Sequence, residues 1–183
     1  MADTDGWSPT TPSACPIARS IEVVGDRWTL LVVRELMVGN CRFDGLHAQT
    51  LASPQMLAGR LKRLEADGMV ERRSYSDRPR RFEYHLTDKG RALAPVMLAL
   101  RDWGDTWCRE PAEEVAVRTI HQGCSHEVGL GPVCQWCGAP FTAGDVSLEF
   151  SQAYAQERAD KIAAARRGAR ERRARRRTDQ ARR

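Results

Sequence analysis

The stretch "SPQMLAGRLKRLEADGMVERRSY", residues 53 to 75, decides the fold. Ser53 is a good N-cap, and Pro54 suits the first helical position, where its missing N–H would go unpaired anyway. Leu57, Leu61 and Leu64 recur at helical spacing and make one stripe to bury, and Gly68 supplies the stop. The opposite side carries Gln55, Gly59, Lys62, Arg63 and Ala66, with Arg60 flanking, and Val70 to Tyr75 then alternates as a strand. A helix buried on one side and basic on the other, followed at once by a basic strand, asks for an acidic partner.

The flanks give the rest of the unit. "PIARSIEVVGDRWTLLVVRELMVGN" predicts two helices, the first ended by Gly25 and the second running from about Arg27 to Val38 with Gly39 as its stop. "RFDGLHAQTL", residues 42 to 51, predicts a shorter helix offering Phe43, Leu46 and Leu51 to the core. Downstream, the strand turns through Asp77 and Pro79 and returns from Phe82 to Leu86. Thr87 then caps a last long helix, with Pro95 expected to kink it by clashing with the carbonyl of Arg91. Trp28, Trp103 and Trp107 fall on apolar helical faces and are expected in the core or an interface.

Four helices, a hairpin and a helix make the fold class mainly α with a small β-hairpin. A short helix, a tight turn and a helix with one buried face form a helix-turn-helix, whose second helix enters the DNA major groove. The hairpin would be a wing, and its tip "SDRPRRF" sets Arg78, Arg80 and Arg81 where a phosphate backbone or minor groove would pass. Ser53, Gln55, Arg60, Lys62 and Arg63 are the candidate DNA contacts of the helix.

Charge agrees once it is divided along the chain. The net +5 of the 183 residues comes from residues 157 to 183, where 12 Lys/Arg face 4 Asp/Glu; the remainder carries 17 against 20. Within that remainder, residues 60 to 81 hold 8 Lys/Arg against 4 acids, and this local excess is the informative one. No apolar run approaches the ~20 residues needed to span a bilayer, and the N-terminus lacks the basic and apolar regions of a signal peptide, so a cytoplasmic protein without membrane contact is expected. Six cysteines in such a chain do not read as a disulfide framework. Nothing resembles a phosphate-cradling glycine loop, a nucleophile elbow or a paired-carboxylate site, and His47, His85, His121 and His126 have no evident triad partner, so no catalytic residue is expected.

"CPIARSIEVVGDRWTLLVVREL", followed by "RFDGL", "SPQMLAGRLKRLEADGMVERR", "YHLTDKGRAL" and a final helix reaching "DWG", resembles the HxlR family of bacterial winged helix-turn-helix transcriptional regulators. The similarity covers roughly residues 15 to 108 in unbroken order. It implies a cytoplasmic, DNA-binding repressor or activator, a homodimer built through its first and last helices, and a pseudo-palindromic double-stranded operator. It also implies a thiol at the Cys15-Pro16 position that senses oxidants or electrophiles, with a small molecule or electrophile as inducer; a helix start places that thiol in the positive end of the helix dipole. Two departures stand out: Ala52 where a larger aliphatic residue commonly precedes the Ser, and Gly59 where the family has a polar residue, which leaves no side chain there for a base.

The C-terminal third adds other chemistry. In "HQGCSHEVGLGPVCQWCGAPF", Cys134-x-x-Cys137-Gly138 is a metal knuckle whose two thiolates can converge on one tetrahedral ion. Cys124 with His126, or His121 in its place, would complete a structural Zn2+ site, a small zinc-ribbon-like appendage, because a stretch with few large apolar residues has little else to fold around. The expected organisation is a flexible leader (1–14), the winged helix-turn-helix domain (15–108), a linker (109–120), the zinc ribbon (121–150) and a basic Ala/Arg-rich tail (151–183), disordered or a solvated helix for want of an apolar stripe. The rival classes are a CxxC thiol-disulfide redox protein, which normally sets its motif between strand and helix of a βαβ unit, and an RNA-binding protein using ribbon and tail, which would leave the hairpin arginines idle.

Overall fold

A computed structural model describes residues 14–78 and 80–181. The expected leader, but for its last residue, and the turn proline Pro79 lie outside the described residues. In chain order the elements are α1 (Pro16–Val24), α2 (Arg27–Met37), α3 (Phe43–Thr50), α4 (Pro54–Ala66), β1 (Val70–Asp77), β2 (Arg80–Leu86), α5 (Asp88–Arg91), α6 (Ala94–Trp107), β3 (Val117–His121), β4 (Val146–Phe150) and α7 (Gln152–Ala181).

The core gathers where the leucine stripe of α4 meets its neighbours. Leu57, Leu61 and Leu64 are buried with Val32, Val33 and Leu36 of α2, Leu46 of α3, Met69, Val70 and Leu86. The helices α2 and α4 start on side-chain caps. Asp26 Oδ1 accepts from the backbone N–H groups of Trp28 and Thr29, both at 3.0 Å, and Ser53 Oγ accepts from that of Met56 at 3.2 Å. Gly68, at φ 68°, turns the chain out of α4. Gly90 is required for packing: a Cβ there would lie 2.3 Å from the carbonyl oxygen of Met69. β1 and β2 pair antiparallel, from Val70 opposite Leu86 to Asp77 opposite Arg80, with a bulge between Ser74 and Ser76, so the ribbon extends two residues further on each side of its turn than alternation alone predicts. Arg42 bridges to Glu83 and the N–H of Tyr84 donates to the Cys41 carbonyl, which ties the wing's base to the start of α3.

The structure corrects several expectations. Pro95 does not kink a continuous helix: the chain breaks at Ala92–Leu93 and Pro95 sits in the first turn of α6, where no backbone bond is lost. Leu51 is not core; it adopts φ 57° as the left-handed end of α3 and is exposed, while Ala52, the small departure from the family pattern, is buried. The linker expected over 109–120 already holds the start of β3, which pairs with β4 from Val117 opposite Phe150 to His121 opposite Val146. Trp28 packs against the core, whereas Trp103 and Trp107 are 59% and 74% exposed on α6, so of the two alternatives expected for them the core is excluded.

The tail departs furthest from expectation. It is a 30-residue helix packed on α3, and the residue that docks it is charged. Arg158 spreads a fork over Glu35 of α2, Nη1 to Oε1 at 2.8 Å and Nη2 to Oε2 at 2.6 Å, with Glu35 fully buried. Arg34 and Asn40 complete the shell around the carboxylate, and the Gln49 amide donates to the Arg158 carbonyl at 2.7 Å. Burial pushes the Glu35 carboxyl up, but the hydrogen bonds from Arg158 and Asn40 and the charges of Arg34 and Arg158 outweigh it, and the group lies below its ordinary value.

Candidate nucleic-acid interface and metal centre

Burying Leu57, Leu61 and Leu64 turns Ser53, Gln55, Met56, Gly59 and Lys62 of α4 to the outside. Two expected contacts of this helix are otherwise engaged. Arg60 is withdrawn: its Nη1 lies 3.0 Å from Asp26 Oδ2, the same carboxylate that caps α2, and its side chain is only 18% exposed. Arg63 is exposed but donates from Nη2 to the Glu22 carbonyl at 2.7 Å, stitching α4 to α1. Lys62 has no ion pair among the described residues, which leaves Gln55, Met56 and Lys62 as the side chains that α4 offers to a groove.

The wing is braced by aromatic rings. Arg72 and Arg80 both lie over Phe82, their guanidinium carbons 4.3 and 5.2 Å from its centroid, and Arg42 lies 4.6 Å over Tyr75 while its Nε meets Glu83 Oε1 at 2.9 Å. Arg78 and Arg81 are exposed at the tip without ion pairs among the described residues. The expected cations of the wing are therefore all exposed near its turn, and Arg42, which sequence reading passed over, buttresses its base from the N-cap of α3.

The second cluster lies between β3 and β4. His121 Nδ1 is 3.3 Å from Cys124 Sγ and 3.4 Å from Cys137 Sγ, and Cys124 Sγ is 3.6 Å from Cys134 Sγ; the four ligand atoms all lie within 4.8 Å of one another. A tetrahedron with metal–sulfur arms of ~2.3 Å has edges of about 3.8 Å, so these spacings fit four ligands on one ion. Two matching knuckles create them. In one, Ser125 takes φ 59° and donates to the His121 carbonyl at 2.8 Å; in the other, Gly138 takes φ 70° and donates to the Cys134 carbonyl at 2.9 Å. His121, the alternative ligand of the sequence reading, is thus the histidine gathered with the three thiols, and His-x-x-Cys has the usual two-residue spacing that Cys124-x-His126 lacks. His126 stands outside: its ring stacks on Trp136 at 4.4 Å and its Nδ1 lies 2.8 Å from the Cys124 carbonyl. Backbone N–H donation from Cys137 lowers the Cys134 thiol to about 6 against the opposing push of burial, whereas burial raises Cys124. A CxxC in a knuckle between antiparallel strands lacks the strand-to-helix setting of a thiol-disulfide catalyst.

Cys15 is exposed at the N-cap of α1. Cys41, at the foot of the wing, has Sγ 3.7 Å from His85 Nδ1, and its thiol is raised by burial first and by Glu83 second.

Comparison with known proteins agrees with this geometry. The HxlR-like helix-turn-helix family profile matches residues 23–112. The HTH-type transcriptional regulator Rv3095 of Mycobacterium tuberculosis is 37% identical over 134 residues, 73% of this chain and 84% of that protein. YvaP of Bacillus subtilis, another HTH-type transcriptional regulator by name, is 38% identical over 95 residues, covering 51% and 88%. Among solved structures, that of PA1607, named as a transcription factor candidate, superposes with a TM-score of 0.59 at 34% identity, covering 75% of this chain and 95% of PA1607.

Proposed function

This chain belongs to the HxlR-like helix-turn-helix family and is a DNA-binding transcriptional regulator, and from that premise we propose how it divides the work of binding. α4 enters the major groove and reads base edges through Gln55, Met56 and Lys62, with Ser53 at its N-terminus near the backbone. The wing grips phosphates through Arg78, Arg80 and Arg81, and Arg60 and Arg63 act by fixing the angle of α4. The observation that carries this reading is the exposed side of α4 beside a wing with exposed Arg78, Arg80 and Arg81 at its turn, Arg80 lying over Phe82.

The exposed apolar residues Ile17 and Ile21 of α1 and Val96, Leu100, Trp103 and Trp107 of α6 supply the surfaces of a homodimer. A two-fold pair presents two α4 helices to a pseudo-palindromic operator. His121, Cys124, Cys134 and Cys137 would hold a structural Zn2+; four protein ligands leave no open position for a reactive water, in keeping with a regulator that is not an enzyme. Bound there, the ion would supply the cross-link that lets β3 and β4 fold with little apolar core. Cys15 is the candidate thiol through which an oxidant or electrophile would act as inducer, in the cytoplasm; no described helix is long and apolar enough to cross a membrane.

The test measures affinity for a duplex consensus selected from a random pool, together with every single-base variant of it. Gln55→Ala and Lys62→Ala should each cost about 1 to 3 kcal/mol and relax specificity at one position, whereas Arg78→Ala, Arg80→Ala and Arg81→Ala should weaken all duplexes alike and flatten the salt dependence. Uniform, non-specific losses from both groups would overturn the division.

A further inference from the structure

The arginine run of α7 has no part in the reading above. Its first half is anchored: Tyr154, Arg158, Lys161, Ala165 and Gly168 are partly buried at alternating four- and three-residue spacing, the stripe by which α7 lies along α3, locked by the Arg158–Glu35 fork and the Gln49 bond. Past Gly168 every described side chain is exposed. Arg166, Arg167, Arg170, Arg172, Arg173 and Arg177 are exposed and have no ion pair among the described residues; the pairs that α7 does make, Arg158–Glu35 and Lys161–Glu157, belong to its first ten residues. Between 162 and 181 the only acids are Glu171 and Asp179, so the helix cannot neutralise itself. Like charges three and four residues apart repel, and such a helix gains from a polyanion.

We propose that residues 166–177 are a second DNA-binding arm, held on α3 and gripping the phosphate backbone that flanks the operator. The inference rests on the duplex-reading role of α4 and adds a surface to it. Position favours duplex over other polyanions: in helix-turn-helix docking the first helix of the motif, here α3, crosses the backbone, so a helix clamped along α3 is carried to the same strand. From Arg158 to Arg177 the helix spans about 28 Å at ~1.5 Å per residue, nearly one turn of duplex at ~34 Å. A rigid clamp through a buried carboxylate keeps the arm from swinging freely, which a purely solvating tail would not need.

The experiment uses the full-length chain and the consensus duplex it selects, as a 20-bp core and with random-sequence flanks to 50 bp, across a salt titration. The native chain should bind the long duplex at least tenfold tighter than the core. A variant with all six arginines changed to Gln should bind the core as the native chain does, lose most of the gain from the flanks, and show a salt slope on the long duplex lower by ~0.9 for each phosphate contact removed. A six-fold Arg→Lys variant, which keeps charge and helix propensity, should restore the gain. Equal gains for the native chain and the Gln variant overturn the arm. So does single-stranded RNA of the same length displacing the native chain, but not the Gln variant, from the long duplex more effectively than duplex competitor, since the arm is then an RNA surface. Failure to select any consensus, or to bind the core, strikes the α4 reading itself and the arm with it.

Discussion

The winged unit and the C-terminal third of this chain are held by opposite means. From α2 to β2 the fold is a hydrophobic cluster: Leu57, Leu61 and Leu64 fill one side of α4 and Val32, Val33, Leu36 and Leu46 meet them. Beyond α6 there is little to fill a core. β3 and β4 pair along five residues each, the segment between them gathers four ligand atoms, and α7 is tied to the winged unit by the Glu35–Arg158 pair and the Gln49 bond. Apolar burial is distributed and non-directional, so it survives the loss of any one contact, whereas a ligand set or a buried ion pair is strong only while every member is present.

Changing Cys134 and Cys137 to Ser should remove about one equivalent of zinc per chain, measured on protein purified without added metal. Structural zinc supplies on the order of 10 kcal/mol to such small units, so the amide protection of residues 117–150 should go with it. Arg158→Ala leaves the buried Glu35 charge with Arg34 and Asn40 alone and should cost about 3 kcal/mol in urea unfolding, while Glu35→Leu with Arg158→Met should recover most of the loss.

The same pair gives a pH signature. Because Glu35 is lowered in the folded chain, its contribution is present above the ordinary carboxylate value of 4.5 and fades as pH falls from there through the folded value. Glu35→Gln should therefore flatten the acid limb of the stability profile, and an unchanged limb would show that other carboxylates govern it. Leu61→Ala should destabilise the winged unit by about 2 to 5 kcal/mol and leave the zinc content intact. Ser53→Ala, which removes the cap of α4, should cost about 1 kcal/mol in the same assay.

What could be read from the sequence follows the same divide. Period and punctuation carried the winged unit: the leucine stripe, Ser53-Pro54, Gly68 and Thr87 each act through neighbours in the chain, and α4 ends where they place its end. Features that depend on distant partners were not legible. Arg60 looked like a free surface cation because nothing near it in sequence shows that Asp26 receives it. Arg158 looked like one more solvated arginine because Glu35 lies 123 residues away. Pro95 misled for a different reason, since a proline inside an apolar period fits a kink or a fresh start equally well. In the metal centre, chain order suggested Cys124 with His126, but the two-residue spacing of His121-x-x-Cys124, matching Cys134-x-x-Cys137, was in the sequence and was the better guide.

Hydrogen exchange read peptide by peptide, with and without a strong zinc chelator and followed by binding to the selected duplex core, tests the contrast most directly. If the winged unit stands on its own burial, the chelator should strip protection from residues 117–150 while residues 27–70 stay protected and the core duplex is still bound. Loss of protection across both regions together, or no change in either, would contradict it.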